Sequence, residues 1–413
     1  MEVIENKLWL GDLSVEDLMQ EFGSPLYVYE EDTIRAQYRR LYESFPGVSL
    51  QIHYAMKANP NPALLKILLD EGAWLDAVSP FETKLAREVG FLPEHILFTG
   101  NNIPLSELEY GLEEGLLINI ESLSLLEEFG KAHPGKELSL RINPGMGSGH
   151  HAHCITGGPR SKFGIYYDQL DEIHEILTRY QLKLTGIHAH IGTGILEPEP
   201  MLEALDMILT ITHQFSGLQF VDIGGGFGIP YRPEQSLLNL PELGAQISRK
   251  FLQFCDAYGT SLDLKIEPGR YLMASSGTLL ATVNNIKKTP DYQFVGVDTG
   301  FNHLLRPALY GSYHRVCNAS RMEGDEESMV LAGYICESGD VLTHNSEGMT
   351  TQFFPRPRLG DRLAILDAGA YGMAMSSQYN MRNRPAEVLV TQGKARLIRK
   401  RETYQDLIRG FVF

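Results

Sequence analysis

This 413-residue chain has few cysteines, no long apolar run and no excess of positive charge, and each of these features argues against a class of protein. The four cysteines, Cys154, Cys255, Cys317 and Cys336, form no CxxC pair, which argues against a disulfide framework and a zinc ribbon. No run of about 18 apolar residues occurs and the first residues, MEVIENKLWL, do not read as a signal peptide, so we expect a cytoplasmic protein without a membrane span. The 36 basic residues against 52 acidic ones give a net charge of −16, which disfavours nucleic acid and anionic membranes as partners.

From residue 49 to about residue 267, short β-rich runs alternate with segments of helical period. Seven segments with apolar residues near i, i+3, i+4 and i+7 separate eight predicted strands. These strands are LQIHYAMK, WLDAV, ILFTG, LLINI, LSLRIN, LTGIHAHI, FVDIGGG and LDLKIEPG. With a further helix over EEDTIRAQYRRLYESF, the pattern predicts an α/β protein with a TIM-like (β/α)8 barrel, and a doubly wound parallel sheet is the competing architecture.

After Arg270 the rhythm changes to strand-like stretches separated by Gly/Pro turns, such as TLLATVNNI and RLAILDAG. This change predicts a second, β-rich domain, either a β-sandwich or a β-barrel. We therefore expect a barrel domain over residues 26–270 and a β-rich domain over residues 271–413 together with residues 1–25.

The predicted strand ends carry reactive side chains, which matters because the chemistry of such barrels lies at the carboxyl ends of their strands. In HYAMKAN, a buried strand ends on Lys57 and is followed by turn-forming residues. The other strand ends offer Asp76, Arg141, His190, Gly224, Gly225, Gly226, Glu267 and Arg270.

Two of these strand ends invite a cofactor or metal interpretation. The GGGFG stretch is not a dinucleotide fingerprint, because Ile229 stands where G-x-G-x-x-G requires glycine; it suits either an anion such as phosphate or simply a tight turn. His188 and His190 alternate, so we expect both on one face of their strand. A metal pair is the alternative there, with further nitrogen and sulfur from the GHHAHC loop, but neither stretch has a recognised ligand spacing, and we expect no metal.

The acidic residues also have structural alternatives. SPFE fits a helix-capping box, which is sufficient to explain Glu82, and Asp76 could cap a loop. Glu267 and Arg270 in KIEPGRY could form a buried ion pair. Combined with Lys57, however, the set fits pyridoxal phosphate, which needs an amine to hold it, an acid on its ring nitrogen, and N–H or cationic groups around its phosphate.

Eight motifs in order make the set more specific: YAMKAN, TGGPRSKFGI, HAHIGTGI, DIGGGFGIPY, EPGRYL, RPALYGSYH, CESGD and GAYGMAMSSQYNMR. Over nearly the whole chain they resemble the pyridoxal-phosphate decarboxylases of the alanine-racemase-like barrel fold, and most closely the diaminopimelate branch of the ornithine, diaminopimelate and arginine decarboxylases. The resemblance implies that Lys57 holds the cofactor covalently, that His190 stacks on its ring and that Glu267 binds its ring nitrogen. It further implies a cofactor site completed by Asp76, Arg141, Thr193, Gly224, Gly225, Gly226, Gly269, Arg270 and Tyr371.

The same resemblance implies a substrate site and a function. Arg270, Arg306, Tyr310 and Tyr371 would contact an amino-acid substrate, and a second subunit of a homodimer would supply the catalytic Cys336 together with Glu337. The implied reaction is decarboxylation of meso-diaminopimelate at its D centre to L-lysine and carbon dioxide, the last step of lysine biosynthesis. The alternatives are a decarboxylase of another amino acid with a distal acyl group, an ornithine or arginine decarboxylase, an amino-acid racemase and a non-catalytic protein that handles the cofactor.

Overall fold

The computed structural model describes residues 1–148 and 156–412, and contacts within the chain divide it into two compact units. The barrel unit contains Arg35–Ile229 and Ser236–Leu272, and the β-rich unit contains Met1–Ile34, Pro230–Gln235 and Met273–Phe413. In the part of the chain that the structure describes, no helix is long and apolar enough to cross a membrane.

The chain begins in the β-rich unit with a small antiparallel sheet. Its strands are β1 (Glu2–Ile4), β2 (Lys7–Leu10) and β3 (Leu13–Ser14). The helix α1 (Val15–Phe22) and the strand β4 (Leu26–Glu30), which belongs to a larger sheet, follow. The Ser14 hydroxyl accepts a hydrogen bond from the Asp17 backbone N–H at 3.0 Å, which caps α1 at its first turn.

Eight parallel strands form a closed barrel. They are β5 (Leu50–Ala55), β6 (Trp74–Ala77), β7 (Ile96–Phe98), β8 (Leu117–Ile120), β9 (Glu137–Asn143), β11 (Lys183–His188), β12 (Phe220–Asp222) and β13 (Asp263–Ile266), with the two-residue β10 (Ile165–Tyr166) paired outside β9. Each strand pairs with the next in this order, and β13 pairs with β5. This closure confirms the predicted barrel and excludes the open, doubly wound sheet.

Eight helices accompany these strands, as the periodicity predicts. They are α2 (Glu31–Glu43), α3 (Pro62–Asp70), α4 (Pro80–Val89), α5 (Leu105–Glu113), α6 (Leu123–Ala132), α7 (Leu170–Tyr180), α8 (Glu199–Thr212) and α9 (Leu240–Tyr258). Asn61 caps α3 and Ser79 caps α4, and in both helices proline occupies the first turn, where its missing N–H costs nothing.

The β-rich unit is built around the twelve-residue strand β14 (Gly277–Lys288), which pairs with β4, with β15 (Gln293–Val297) and with β21 (Arg362–Ile365). The remaining strands are β16 (Val316–Asn318), β17 (Glu326–Ala332), β18 (His344–Asn345), β19 (Gly348–Met349), β20 (Gln352–Pro355), β22 (Ala386–Thr391) and β23 (Lys394–Arg399). Three short helices complete the chain: α10 (Arg270–Met273), α11 (Arg306–Tyr310) and α12 (Tyr404–Ile408). One hydrophobic core joins the N-terminal segment to these strands through Leu8, Leu10, Leu18, Leu26, Val28, Leu280, Ala364 and Val388.

The observed units differ from the predicted domains at their boundaries. Residues 26–34 were assigned to the barrel, but β4 pairs antiparallel with β14 and parallel with β22, so its backbone groups are satisfied within the β-rich sheet. The segment Pro230–Gln235 also clusters with the β-rich unit. No local sequence signal marks either feature, because both depend on contacts between residues far apart in the chain.

Candidate active site

Lys57 lies at the mouth of the barrel, immediately after β5. The strand ends at Ala55, and a single 3₁₀ turn, Met56–Ala58, carries the lysine before Asn61 caps α3. The Lys57 Nζ donates a hydrogen bond to the Asp76 Oδ2 at 3.1 Å; the Lys57 side chain is 44% exposed and that of Asp76 only 2%. The strand therefore delivers an accessible amine beside a buried carboxylate.

Asp76 is held in an unusual protonation range. Burial raises the pKa of its carboxyl group to about 6; the negative charge of Glu267 acts in the same direction, and Lys57 opposes it. A carboxyl group that titrates near neutrality beside an amine can exchange a proton with that amine.

The layer of side chains near the mouth is polar and comes from alternate strands. Asp76 lies on β6, Asn119 on β8, His188 on β11, and Glu267 directly follows β13. Barrels fill their interior with such layers of four, normally with branched apolar residues. Here the layer contains ionisable and amide groups instead, which indicates a site.

Glu267 and His188 form the central pair of this layer. The His188 Nε2 lies 3.2 Å from the Glu267 Oε2, and both side chains are buried. Among the described residues, the other carboxylate oxygen, Oε1, is buried without a hydrogen-bond partner. Burial alone would raise the pKa of Glu267, but His188, Lys57 and His190 outweigh it, and the net pKa lies well below the usual range.

The two histidines of HAHIG do not share a strand face, which corrects the sequence expectation. Because β11 ends at His188, His190 lies in the following loop, where its Nδ1 accepts a hydrogen bond from the Gly225 N–H at 3.1 Å. Burial, aided by Arg141 and Lys57, lowers the pKa of His190 well below its ordinary value, so the ring is neutral. The expected metal alternative paired His188 with His190, whereas the ligand atoms that lie within 4.8 Å of one another belong to His188, Asp222 and Glu267. The GHHAHC loop falls outside the described residues.

The glycine loop passes so close to its neighbours that side chains would not fit. A Cβ on Gly225 would lie 2.3 Å from the carbonyl oxygen of Glu267, and Gly224 has a left-handed φ of 69°. The Gly224 N–H donates to the Asp222 Oδ1 at 2.8 Å. The tight turn considered from the sequence is thus present, and its three glycines are buried.

The barrel unit also contains two predicted basic residues of the site, Arg270 and Arg141. The Arg270 Nε donates to the Thr193 Oγ1 at 3.2 Å, and the Arg141 guanidinium lies 4.4 Å from the ring centroid of Phe163 and 3.8 Å from the Glu121 carboxylate. A cavity of about 310 Å³ lies beside Arg141 and is lined by Lys57, Asp76, Arg141, Phe163, His190 and Glu267 among others.

Glu82 has the structural role that its motif predicts. The Ser79 hydroxyl accepts from the Glu82 N–H at 3.3 Å, and the Glu82 carboxylate accepts from the Val78 N–H at 2.8 Å. Sequence reasoning missed Asn119, His188 as a partner of Glu267, and Asp222. Their signal was available: each is a polar residue inside a short apolar strand, in LLINI, LTGIHAHI and FVDIGGG.

The remaining predicted residues lie in the β-rich unit, where Arg306 is 1% exposed. Its Nη1 donates to the His314 Nε2 at 2.7 Å, its Nη2 donates to the Ser312 Oγ at 3.4 Å, and its guanidinium stacks 4.6 Å from the ring centroid of Tyr231. The His314 Nδ1 in turn donates to the Leu366 carbonyl at 2.8 Å. The guanidinium is therefore fixed in one orientation.

Two tyrosines of the predicted site also belong to this unit. Tyr310 ends α11 and is half-buried, and Tyr371 is half-buried with a left-handed φ of 57°. Near Arg306, burial raises the pKa of Asp367 to about 6, against the opposing charges of Arg306 and Arg315.

The CESGD loop, Cys336–Asp340, exposes its two functional candidates. Cys336 and Glu337 are both exposed, while the Cys336 N–H donates to the Asn380 Oδ1 at 2.7 Å. Asp340 is buried and accepts from the N–H groups of Phe301 and Ile335 at 2.6 and 2.7 Å. Hydrogen bonds to Asp340 and Asn380 thus hold the loop in place, while Cys336 and Glu337 remain exposed to solvent.

Comparisons with known proteins agree with this geometry. Residues 31–274 match the pyridoxal-dependent decarboxylase family, pyridoxal-binding domain. The diaminopimelate decarboxylase of Methanothermobacter thermautotrophicus is 45% identical, over 98% of this chain and 95% of that protein, and that of Escherichia coli K12 is 36% identical over 96% of each. The structure of diaminopimelate decarboxylase from Methanocaldococcus jannaschii in complex with L-lysine superposes with a TM-score of 0.89 at 32% identity, covering 100% of this chain and 97% of that one. Family model, relatives and barrel-mouth geometry together place the chain in the pyridoxal-dependent decarboxylase family.

Proposed function

We propose that this protein decarboxylates meso-diaminopimelate at its D centre and releases L-lysine and carbon dioxide. The observation that carries the decarboxylase assignment is the Glu267 carboxylate, buried and ionised, with one oxygen bound by His188 and the other directed to no protein group among the described residues. The substrate assignment is supported by the relatives: they are named diaminopimelate decarboxylase, and this chain is similar to them over nearly their full length.

The residues at the barrel mouth fit pyridoxal phosphate. The accessible Lys57 amine would hold it, the buried and unpartnered Glu267 Oε1 would face its ring nitrogen, and the loop of Gly224–Gly226 with Thr193 would receive its phosphate. When bound, the cofactor supplies the electron sink that accepts the electrons left by the departing carboxylate. Gly269, Arg270 and Tyr371 are proposed to complete its site.

Glu267 determines how well that sink works. Because its pKa lies well below the usual range, Glu267 stays ionised and can keep a proton on a neighbouring ring nitrogen. A racemase of this fold is expected to carry arginine at this position and to leave the ring nitrogen unprotonated. Glu267 therefore favours decarboxylation over racemisation.

Asp76 is proposed to exchange a proton with the amine of Lys57. Their 3.1 Å contact and the pKa of about 6 for Asp76 allow the carboxylate to take a proton from the Lys57 Nζ and return it. Neutral His190, held by the Gly225 N–H, is proposed to stack on the cofactor ring, and the buried Arg141 would keep the site positively biased.

The β-rich unit is proposed to choose the substrate. Diaminopimelate carries a second amino-acid centre, and the fixed Arg306 guanidinium, with Tyr310, suits its distal carboxylate. Glu337 would bind the distal ammonium, and Cys336 would act at the reacting centre, both from the second copy in a homodimer. The exposure of this pair on an anchored loop supports that arrangement. The cytoplasmic location stays a prediction.

A substrate panel tests the proposal. The purified protein with pyridoxal phosphate is incubated separately with meso-diaminopimelate, LL-diaminopimelate, ornithine, arginine, lysine and an amino acid with a distal acyl group, and each product is identified. We expect lysine from the meso isomer and a large preference for it. Comparable turnover of ornithine or arginine, or a preference for another distal-acyl substrate, would replace the substrate assignment and leave the decarboxylase chemistry intact.

A further inference from the structure

A buried chain of hydrogen bonds inside the barrel leads to Glu267. Asn119, His188 and Glu267 come from β8, β11 and the end of β13, so each bond passes over the strand between them. The Asn119 Nδ2 lies 3.1 Å from the His188 Nδ1, and the His188 Nε2 lies 3.2 Å from the Glu267 Oε2. All three side chains are buried.

The surroundings of Asn119 determine where the His188 proton lies. The Ser139 hydroxyl lies 3.0 Å from both the Ile118 carbonyl and the Asn119 Oδ1, and with Oδ1 on the Ser139 side the amide nitrogen faces both the Thr99 Oγ1 at 3.3 Å and His188. An amide N–H can only donate, so the His188 Nδ1 must accept. The imidazole proton is then on Nε2, directed at the Glu267 Oε2.

Glu267 needs such a partner because it is surrounded by competing charges. The positive charges of Lys57, Arg141 and Lys265 attract its carboxylate, and the carboxyl groups of Asp76 and Asp222 repel it when ionised. Burial lowers the pKa of His188, but Glu267 outweighs burial and raises it overall, which shows how strongly the two groups are coupled. The His188 Nε2–H holds the Glu267 Oε2 in place, and this contact fixes the direction in which the other carboxylate oxygen, Oε1, points.

We propose that His188 is a positioning residue: through its Nε2–H bond to the Glu267 Oε2, it aims Oε1 at the ring nitrogen of the cofactor. Asn119 sets the tautomer that makes this possible. The inference rests on the proposed role of Glu267, and it predicts that loss of this single N–H lowers the protonation of the ring nitrogen.

Three substitutions separate the N–H bond from simple packing. In His188→Gln, an amide N–H reaches the position of Nε2 and can still donate to Glu267; in His188→Asn, the amide reaches only the position of Nδ1; and His188→Leu removes both. His53→Gln and His53→Asn are matched controls, because His53 is also fully buried on a barrel strand, and its Nδ1 contacts the Leu75 carbonyl at 3.3 Å. Thermal unfolding of each variant checks the fold.

The main readout is the ¹⁵N resonance of ring-labelled pyridoxal phosphate bound to each protein without substrate. We expect a protonated ring nitrogen in wild type, His188→Gln and both His53 variants, and a loss of protonation in His188→Asn and His188→Leu. With substrate, those two variants should lose roughly tenfold or more in kcat with little change in KM, as for other groups that orient a binding residue. Ring protonation that survives in all three His188 variants, or that is lost equally in His188→Gln, would overturn the proposal.

A second measurement needs no variant and no cofactor. Histidine labelled with ¹⁵N in the apoprotein reports which His188 nitrogen carries the proton. We expect protonated Nε2 and unprotonated Nδ1; the reverse tautomer would refute the positioning role even if a variant failed to fold. Since neither readout involves an amino-acid substrate, failure of the substrate assignment would leave both results interpretable.

Discussion

In the barrel unit, the polar side chains of the site are buried and bonded to one another, whereas in the β-rich unit the CESGD loop presents Cys336 and Glu337 to solvent. Glu267 has one oxygen fixed by His188, and Lys57 has Asp76 beside it. In the CESGD loop, by contrast, the buried Asp340 accepts hydrogen bonds from the backbone N–H groups of Phe301 and Ile335 and so holds the loop in place. The barrel unit therefore brings most of the proposed cofactor residues together within one unit, whereas Cys336 and Glu337 stay exposed and, in our proposal, act in the site of the second subunit.

Arg306 is the intermediate case. It lies in the β-rich unit, yet it is as buried as the barrel residues and is fixed by His314 and Tyr231. Preorganised guanidinium groups of this kind discriminate strongly, because a substrate that lacks the matching group leaves buried donors unsatisfied. We therefore assign cofactor chemistry to the barrel and substrate choice to the β-rich unit, and the predictions below test that division.

The largest effect is expected in the barrel. Lys57→Ala should reduce turnover by more than about 10³-fold and abolish the cofactor's visible absorbance, because it removes the amine that would hold the cofactor, while the half-exposed side chain contributes little to folding. Lys66→Ala, which removes an exposed lysine paired with Asp70, is the control and should retain activity. Reduction with borohydride and peptide mapping should label Lys57; a label on Lys66 or Lys162 would refute the assignment.

The next effect concerns Arg306. Arg306→Ala should raise KM for diaminopimelate steeply and reduce the preference of the enzyme for diaminopimelate over lysine and ornithine. Sites built on polar pairing can reach a preference of roughly 10⁴-fold, which sets the upper limit of the expected loss. Arg315→Ala removes an exposed arginine from the same unit and should leave the preference unchanged. An unchanged preference in Arg306→Ala, or wild-type turnover of ornithine comparable to that of diaminopimelate, would move substrate choice out of the β-rich unit.

The sharing of sites can be tested by complementation. Lys57→Ala and Cys336→Ala should each be inactive alone, because each lacks a group of every site. After subunit exchange, half of the dimers are hybrids with one intact site, so about a quarter of wild-type activity should return. If exchange is confirmed with differently tagged subunits and no activity appears, each chain uses its own Cys336.

A smaller effect is expected in stability. Burial, reinforced by Glu267, raises the pKa of Asp222 to about 7, so the folded state favours its protonated form. The contribution of Asp222 to the stability of the apoprotein should therefore be lost as pH rises from about 4 to 7, whereas Asp222→Asn, which stays neutral, should not show this loss. The variant should melt higher than wild type at pH 8, and the gain should shrink at pH 5. The exposed Glu203→Gln serves as control, and a gain independent of pH would contradict the assigned pKa.

The barrel could be predicted because each of its strands and helices has a local period, and eight repeats reinforce one another. Lys57 and Glu267 could be predicted because strand ends meet at one face of a barrel. Asn119 and Asp222 were missed, since a single polar residue inside a short apolar strand reveals nothing about which partner faces it across the barrel. The strand β4 was misplaced for a related reason: LYVYE has strand propensity, but only pairing with β14 and β22 decides its sheet.

The central claim, that this chain decarboxylates meso-diaminopimelate at the D centre, can be tested with substrate labelled with ¹³C in the carboxyl group of that centre. We expect the label to leave quantitatively as ¹³CO₂ and the remaining product to be unlabelled L-lysine. Label retained in the lysine would mean decarboxylation at the other centre. Interconversion of diaminopimelate stereoisomers without release of carbon dioxide would contradict the account and identify a racemase instead.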